Sequence, residues 1–147
     1  MMAEPSSYAQ LNQDTHVCQF YNNKKYGYFV DIGANDGITL SNTYLLEKQY
    51  RWKGICVEPV PDIYKRLINN RSNICDNNAV FDKSNFQVEF TESLKCNGLL
   101  SGITEFITDA HKNTIDTHYT AYNVPTITLN DLLLKYTAPA FIDYVSI

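Results

Sequence analysis

A short stretch of acidic, glycine and amide residues, Asp31-Ile-Gly-Ala-Asn-Asp-Gly37, has the composition of a ligand-binding turn. The apolar run before it, residues 28–32, predicts a buried strand, and residues 41–50 after it predict a helix. A strand, a glycine turn and a helix in this order place backbone N–H groups at a helix N-terminus, where open α/β sheets bind nucleotide-like ligands. Glycine at positions 33 and 37 allows positive φ angles and a close approach of the ligand.

The spacing of the glycines distinguishes this turn from the dinucleotide-binding fingerprint. The pattern G-x-G-x-x-G would need a glycine at position 38, which is Ile38. Asp31 instead precedes the first glycine by two positions and offers a carboxylate to a ligand with a cationic amino-acid end, such as S-adenosylmethionine. We expect this cofactor to be bound by the turn residues Asp31, Gly33, Ala34, Asn35 and Gly37.

A second acidic residue stands where a βαβ nucleotide site places its ribose ligand. Glu58 follows a second apolar strand, predicted over residues 54–57, and lies about 20 residues after Gly37, the usual distance for such an acid. The spacing favours a carboxylate that accepts hydrogen bonds from ribose hydroxyls. Pro59, which we also expect at the cofactor site, then stiffens the chain before a helix predicted over residues 62–70.

The adenine end of the site is predicted less specifically. A third strand is predicted over residues 73–80, and Asn77 and Asn78 occur within its final part. Their amides suit an adenine edge, but asparagine also favours turns on its own account. Both interpretations remain open from the residues alone.

Composition narrows the classes of protein. The 147-residue chain is long enough for one hydrophobic core, and its net charge of −4 gives no basic surface for nucleic acid. The sequence shows no signal peptide and no apolar run long enough to span a membrane, so we expect a cytoplasmic protein. The four cysteines are far apart, which favours reduced thiols over a disulfide framework.

The other elements must hold these residues in place. The polar N-terminal segment 1–26 predicts a short helix that is capped by Asp14 and lies on the sheet. In the alternative interpretation, Gln10 and Asp14 face the cofactor. Trp52 is interpreted as a packing anchor, and Ile63, Leu67 and Ile68 as the inward face of their helix. Further predictions are strands at 86–90 and 124–129, a helix at 131–136 capped by Asn130, and a central strand at 140–147.

The region from residue 96 to 119 gives the least information. Asp109, His111, Asp116 and His118 form a repeated D-x-H pattern whose spacing matches no common metal site, so we predict no metal. His111 and His118 are the titratable candidates for a catalytic base. The pattern assigns this role to neither, and the catalytic residue stays unknown.

The motifs together resemble the FkbM family of S-adenosylmethionine-dependent methyltransferases. The resemblance runs from about Tyr8 to the end and rests on residues 29–37, 41–43, 52–59, 126–129 and 142–147. It implies a Rossmann-like, three-layer α/β sandwich and methyl transfer to a hydroxyl oxygen, often on a sugar or another small molecule. By motif match, Asp31, Gly33, Asn35 and Gly37 would hold the methionine end, Glu58 the ribose, and Asn77 or Asn78 the adenine.

One departure from the family concerns the final strand. In the family this strand runs into an Asp-x-Glu-Gly segment beside the methyl group, whereas the sequence given ends at Ile147. We therefore expect residues 27–147 to hold roughly the first four core strands, which is the cofactor-binding half of the domain. An open sheet edge there would favour self-association.

Three hypotheses follow for function. The first is an O-methyltransferase with a small-molecule or glycan acceptor. The second is a non-catalytic module that keeps the methyltransferase fold for binding or scaffolding. The third is a nicotinamide-dependent oxidoreductase, which the glycine spacing disfavours.

Overall fold

A computed structural model describes residues 6–93, 101–107 and 119–147 of the chain. Its helices are α1 (Gln13–Phe20), α2 (Tyr44–Tyr50), α3 (Pro61–Asn70) and α4 (Leu129–Lys135), with a 3₁₀ turn at Thr104–Phe106. Its strands are β1 (Tyr28–Ile32), β2 (Lys53–Val57), β3 (Ile74–Asp76), β4 (Ala79–Val80), β5 (Gln87–Ser93), β6 (Gly102–Ile103), β7 (Tyr119–Ile127) and β8 (Tyr144–Ser146).

The main sheet is parallel and has the strand order β3-β2-β1-β8. Because all four strands run the same way, their carboxyl ends meet along one edge. The register places Asp31 of β1 between Cys56 of β2 and Ser146 of β8. The α/β class and the two strands around the predicted ligand turn are confirmed.

Apolar side chains cover both faces of this sheet. Alternate residues of β1 point to opposite sides, so Phe29 joins a cluster with α2 and Trp52, whereas Val30 joins one with Leu132 of α4. Trp52 is buried, and its indole N–H donates to the carbonyl of Lys24 at 2.7 Å. Its predicted role as a packing anchor is confirmed.

A second sheet has the order β4-β7-β5-β6. Strands β5 and β7 form a long antiparallel pair from Gln87↔Pro125 to Ser93↔Tyr119, while β4 pairs with β7 in parallel. The strand predicted over residues 73–80 is therefore wrong as a single strand, since β3 and β4 belong to different sheets. The chain turns between them because Asp76 accepts a hydrogen bond from the backbone N–H of Asn78 at 2.8 Å.

Several predicted boundaries are also wrong. Strand β8 covers only Tyr144–Ser146, whereas residues 140–147 were predicted, and it pairs with β1 among the described strands. Helix α4 begins earlier than predicted because Thr128, and not Asn130, caps it by accepting from the Asp131 N–H at 3.1 Å. The side chain of Ile68, predicted to face inward, is 47% exposed.

The N-terminal helix α1 is confirmed, but its predicted cap is wrong. Asn12 is the N-cap residue, and Asp14 lies inside the first turn. The carboxylate of Asp14 is buried and accepts from the backbone N–H groups of Tyr8 and Ala9 at 2.7 and 3.3 Å. Asp14 therefore fixes the segment that precedes the helix.

A buried ion pair joins α2 to the end of α3. The Nε of Arg71 donates to Oε2 of Glu47 at 2.6 Å, and the two side chains are 0% and 6% exposed. Burial alone would raise the pKa of Glu47, but the charge of Arg71 and a hydrogen bond from the Ser72 N–H outweigh it and lower this pKa to about 2. Arg71 also donates to the carbonyl of Gly37 at 3.2 Å and to Oγ1 of Thr43 at 3.0 Å.

Replacing Arg71 by methionine should destabilise the protein by about 3–5 kcal/mol, because it leaves the Glu47 carboxylate buried without its cation. Urea unfolding measures this loss. The double variant Glu47→Leu/Arg71→Met should recover a large part of it, since neither charge then remains buried. The matched control is Lys65→Met, which breaks the exposed Asp62–Lys65 pair and should hardly move the midpoint. Equal effects of Arg71→Met and Lys65→Met would contradict the assignment.

Candidate functional site

A pocket of about 120 Å³ lies at the carboxyl end of β1. The end of β1, the glycine turn, the residues before α2 and the end of β8 form its wall. The polar residues that line it include Asp31, Asn35, Ser41, Asn42 and Ser146. Four of the five residues predicted for the methionine end, Asp31, Gly33, Ala34 and Asn35, are thus brought together here.

The carboxylate of Asp31 is held at the base of this pocket. It accepts a hydrogen bond from Oγ1 of Thr43 at 2.6 Å and a second from the Ser146 side chain. Burial raises the pKa of Asp31, against the opposing effects of these hydrogen bonds and of the Arg71 charge. A cationic group of a ligand would stabilise the charged form of this carboxylate.

The residues before α2 are ordered by a side chain of their own. Oγ of Ser41 accepts from the backbone N–H groups of Thr43 and Tyr44 at 3.3 and 3.1 Å. The side-chain amide of Asn42 donates to Oγ of Ser146 at 2.9 Å, which connects this segment to β8. The prediction that Ser41, Asn42 or Thr43 would accept from the open N–H groups at the start of the helix is confirmed for Ser41.

The N–H groups of the glycine turn are donated within the protein. Helix α2 begins only at Tyr44, so the prediction of turn N–H groups at a helix N-terminus is wrong. The turn therefore lacks the row of N–H groups that binds a pyrophosphate. The hydrogen bonds run from Gly33 and Ala34 to the Val57 carbonyl, from Asn35 to Glu58, from Asp36 to the Asn35 side chain, from Gly37 to the Ala34 carbonyl, and from Ile38 and Thr39 to the Asp36 side chain.

The two glycines of the turn have different roles. Both have positive φ, 79° at Gly33 and 83° at Gly37. A Cβ on Gly33 would meet no atom within 4 Å, so its open side faces the pocket. A Cβ on Gly37 would lie 2.7 Å from Leu67 and 2.6 Å from Arg71, which makes Gly37 a packing glycine and not a point of ligand approach.

Glu58 lies at the end of β2 and is only 6% exposed. Its Oε2 accepts from the Asn35 N–H at 3.1 Å and its Oε1 from the Val60 N–H at 2.9 Å. Burial raises the pKa of Glu58 to about 7; the charge of Glu92 adds to this shift, and the two N–H groups oppose it. Each carboxylate oxygen has two lone pairs, so both retain the capacity to accept a hydroxyl proton.

The residues predicted for the adenine edge lie in the turn after β3. The side-chain amide of Asn78 donates to Asp76 at 2.7 Å, and Asn77 is exposed. The sequence analysis did not single out Asp76. This acid is the last residue of β3, much as Glu58 directly follows β2. Its other oxygen accepts from Lys135 and Tyr136, both at 2.7 Å, so Asp76 fastens the end of α4 to this turn.

Other predicted candidates lie away from this site or outside the described residues. Asp109, His111, Asp116 and His118 all fall in the part of the chain that the structure does not describe. Within the described part, no group of three or more His, Cys, Asp or Glu side chains is arranged to hold a metal. The three described cysteines, Cys18, Cys56 and Cys75, are free thiols.

A comparison with known protein families identifies the family of this chain. A family described as "Methyltransferase FkbM domain" matches residues 31–147, which covers the pocket, Glu58 and both sheets except for the first three residues of β1. The chain belongs to the FkbM methyltransferase family. The comparisons with curated proteins and with solved structures gave no match.

Membership of the FkbM family implies a Rossmann-like methyltransferase fold, in agreement with the parallel sheet. It also implies a methyltransferase that uses S-adenosylmethionine. Among the described residues, no helix is long and apolar enough to cross a membrane.

Alanine at the two glycines should separate their roles. Gly33→Ala should cost about 1 kcal/mol of stability, the price of positive φ alone. Gly37→Ala should cost about 2–4 kcal/mol, because the new methyl group also displaces Leu67 and Arg71. Chemical denaturation measures both, and a Gly37→Ala variant as stable as Gly33→Ala would show that Gly37 does not pack against α3.

Glu58 should make stability depend on pH. Because its pKa rises from 4.5 to about 7 on folding, the folded state holds a proton that the unfolded state releases between these values. The free energy of unfolding should therefore fall as pH rises through this window, by about 3 kcal/mol from this group. Glu58→Gln should remove that component, and the two stability curves should run parallel above about pH 8. A difference between the curves that does not change with pH would contradict the raised pKa.

Proposed function

We propose that this FkbM-family protein transfers a methyl group from S-adenosylmethionine to a hydroxyl oxygen of a small molecule, with sugars as the first class to test. One observation carries the proposal. Two buried carboxylates, Asp31 and Glu58, flank the glycine turn at the ends of neighbouring parallel strands, where open α/β sheets bind their ligands.

The polar groups of the pocket suit S-adenosylmethionine. The open side of Gly33 gives room for a ligand beside Asp31, and the pocket offers a carboxylate to an amino-acid ammonium group. The N–H groups of the turn are already donated within the protein, which counts against a dinucleotide with its pyrophosphate. A cofactor without phosphate needs acceptors at this point more than donors.

The cofactor, when bound, supplies a methyl group on a reactive sulfonium, so the protein mainly binds and orients. In this proposal Asp31, Gly33, Ala34 and Asn35 hold the methionine end, and Gly37 supports the turn from behind. Glu58 accepts from the ribose hydroxyls, with Pro59 directing the chain away. Asn77 and Asn78 border the adenine.

Binding of S-adenosylhomocysteine, the demethylated product, tests the cofactor site. At about a hundred times its dissociation constant the ligand should add about 2.7 kcal/mol of stability, which raises the melting temperature by several degrees. Asp31→Asn and Glu58→Ala should lose most of this shift. Glu89→Gln, an exposed carboxylate on β5, is the matched control and should keep it. A cooperative melt that the ligand does not move in the unaltered protein would contradict the proposed function.

Transfer is tested with methyl-labelled S-adenosylmethionine and a panel of sugars and other hydroxyl-bearing small molecules. Labelled product that disappears with Glu58→Ala would support the O-methyltransferase. Cofactor binding without transfer to any acceptor would favour the non-catalytic module. A thermal shift with NADH in place of S-adenosylhomocysteine would favour the oxidoreductase.

A further inference from the structure

Two cysteines lie side by side on neighbouring strands of the main sheet. Cys56 of β2 pairs with Cys75 of β3 in the parallel register. Paired residues of adjacent strands point to the same face, and both thiols pack in the cluster that contains Phe29 and Trp52. The fold therefore brings together two nucleophilic groups that are well separated in sequence and that the proposed mechanism does not use.

The spacing of the strands allows a disulfide bond between these cysteines but does not relax it. Neighbouring strands lie about 4.8 Å apart, inside the Cα–Cα range of about 4.4–6.8 Å for disulfides. The side chains of a parallel pair run side by side, so their Cβ atoms also lie about 4.8 Å apart, whereas a relaxed disulfide needs about 3.8 Å. A bond between the sulfurs would draw β2 and β3 together, and a strained disulfide of this kind is easily reduced. Both cysteines are free thiols in this structure.

The two thiols differ in access and in acidity. Cys56 is fully buried, whereas Cys75 is half-buried and its thiol donates to the Asn73 carbonyl at 3.5 Å. A hydrogen bond from Cys56 lowers the pKa of Cys75; burial opposes this shift, and the charge of Arg71 adds to it. The same hydrogen bond, together with burial, raises the pKa of Cys56. An oxidant therefore meets Cys75 first, as the better thiolate, and Cys56 is the resolving thiol beside it.

The two cysteines stand just before the acidic residues at the ends of their strands. Glu58 follows Cys56 by two positions, and Asp76 directly follows Cys75. The backbone N–H of Glu58 donates to the Asp76 carbonyl at 2.9 Å, which couples the two strand ends. A displacement of β2 toward β3 therefore moves the Glu58 carboxylate relative to the Asn35 N–H from which it accepts.

We propose that Cys56 and Cys75 form a redox modification site, which a hydroperoxide such as hydrogen peroxide converts to a disulfide across β2 and β3. With this bond formed, Glu58 is displaced from the ribose hydroxyls and the cofactor binds more weakly. The effect on the cofactor rests on the proposed function, whereas the modification itself rests on the pairing of the strands.

One molecule of hydrogen peroxide is consumed for each disulfide. The Cys75 thiolate attacks one peroxide oxygen, the O–O bond breaks and hydroxide leaves, so Cys75 becomes a sulfenic acid. The Cys56 sulfur then attacks the Cys75 sulfur; the S–S bond forms, the S–O bond breaks, and a second hydroxide leaves. The two thiols thus lose two electrons and two protons, and the peroxide is reduced to two molecules of water.

Tryptic peptide mapping of the full chain tests the modification. Cleavage after Lys and Arg places the four cysteines in four different peptides, with Cys56 in residues 54–65 and Cys75 in residues 72–83. After treatment with hydrogen peroxide and blocking of the remaining thiols, these two peptides should be joined by a disulfide. Dithiothreitol should separate them, since the bond is easily reduced.

Calorimetry with S-adenosylhomocysteine tests the effect on the cofactor. The oxidised protein should bind this ligand about tenfold more weakly than the reduced protein, as the loss of one hydrogen bond to a charged group would give. Dithiothreitol should restore the affinity together with the free thiols.

Three variants assign the effect to this pair. Cys75→Ser should abolish the joined peptides and make the affinity insensitive to peroxide. Cys56→Ala should do the same, and it provides the test if Cys75→Ser does not give a cooperative melt. Cys18→Ala removes another cysteine that is buried in the same cluster, so it is the matched control and should keep both the joined peptides and the loss of affinity.

The outcomes separate the inference from the proposed function. Peroxide treatment that leaves residues 54–65 and 72–83 unjoined, or that joins either of them to another cysteine peptide, would overturn the modification site. Joined peptides with an unchanged affinity would overturn the effect on Glu58. Failure of the reduced protein to bind S-adenosylhomocysteine would overturn the proposed function, while the joined peptides would still establish the modification.

Discussion

The guanidinium of Arg71 is the interaction on which the ligand turn depends. It has no exposed surface, so its N–H groups need acceptors inside the protein. It finds them in Glu47 of α2, in Thr43 at the start of α2 and in the carbonyl of Gly37. Thr43 in turn donates to Asp31. The Glu47–Arg71 ion pair therefore helps to fix the position of the Asp31 carboxylate in the pocket. The carboxylate that we propose for cofactor binding and the stability of the core therefore depend on one hydrogen-bond network.

Two buried glutamates show how neighbours decide the behaviour of a carboxylate. Glu47 faces Arg71 and several further donors, which lowers its pKa to about 2, so it remains charged as part of the fold. Burial, with a smaller contribution from the charge of Glu92, raises the pKa of Glu58 to about 7 against the opposing effects of two backbone N–H groups and the charge of Arg66. A group whose charged form is poorly compensated is the one that a ligand can stabilise, and strongly shifted groups of this kind concentrate at functional sites. This contrast separates a structural acid from a candidate binding residue better than burial does.

The parts of the site that were predictable are those encoded locally. Strand β1, the glycine turn and Glu58 follow from a short apolar run, two glycines and one spacing, all of which persist in the fold. Arg71 and Asp76 were missed because their partners are distant in sequence; Asp76, for example, meets Lys135 and Tyr136 only through tertiary contact. The break between β3 and β4 was missed for a related reason, since a side chain bonding its own backbone outweighs the strand pattern.

The internal hydrogen bonds of the glycine turn also explain how one topology accommodates different ligands. In a dinucleotide site the turn leads directly into a helix, and its free N–H groups meet a phosphate. Here six residues separate Gly37 from Tyr44, the first residue of α2, and Asp36, Glu58 and the Val57 carbonyl accept from N–H groups of the turn. What the site offers outward is acceptor oxygen from Asp31 and Glu58. The internal hydrogen bonds of the turn's N–H groups thus determine which kind of ligand the site favours. The strand order determines only where that ligand lies.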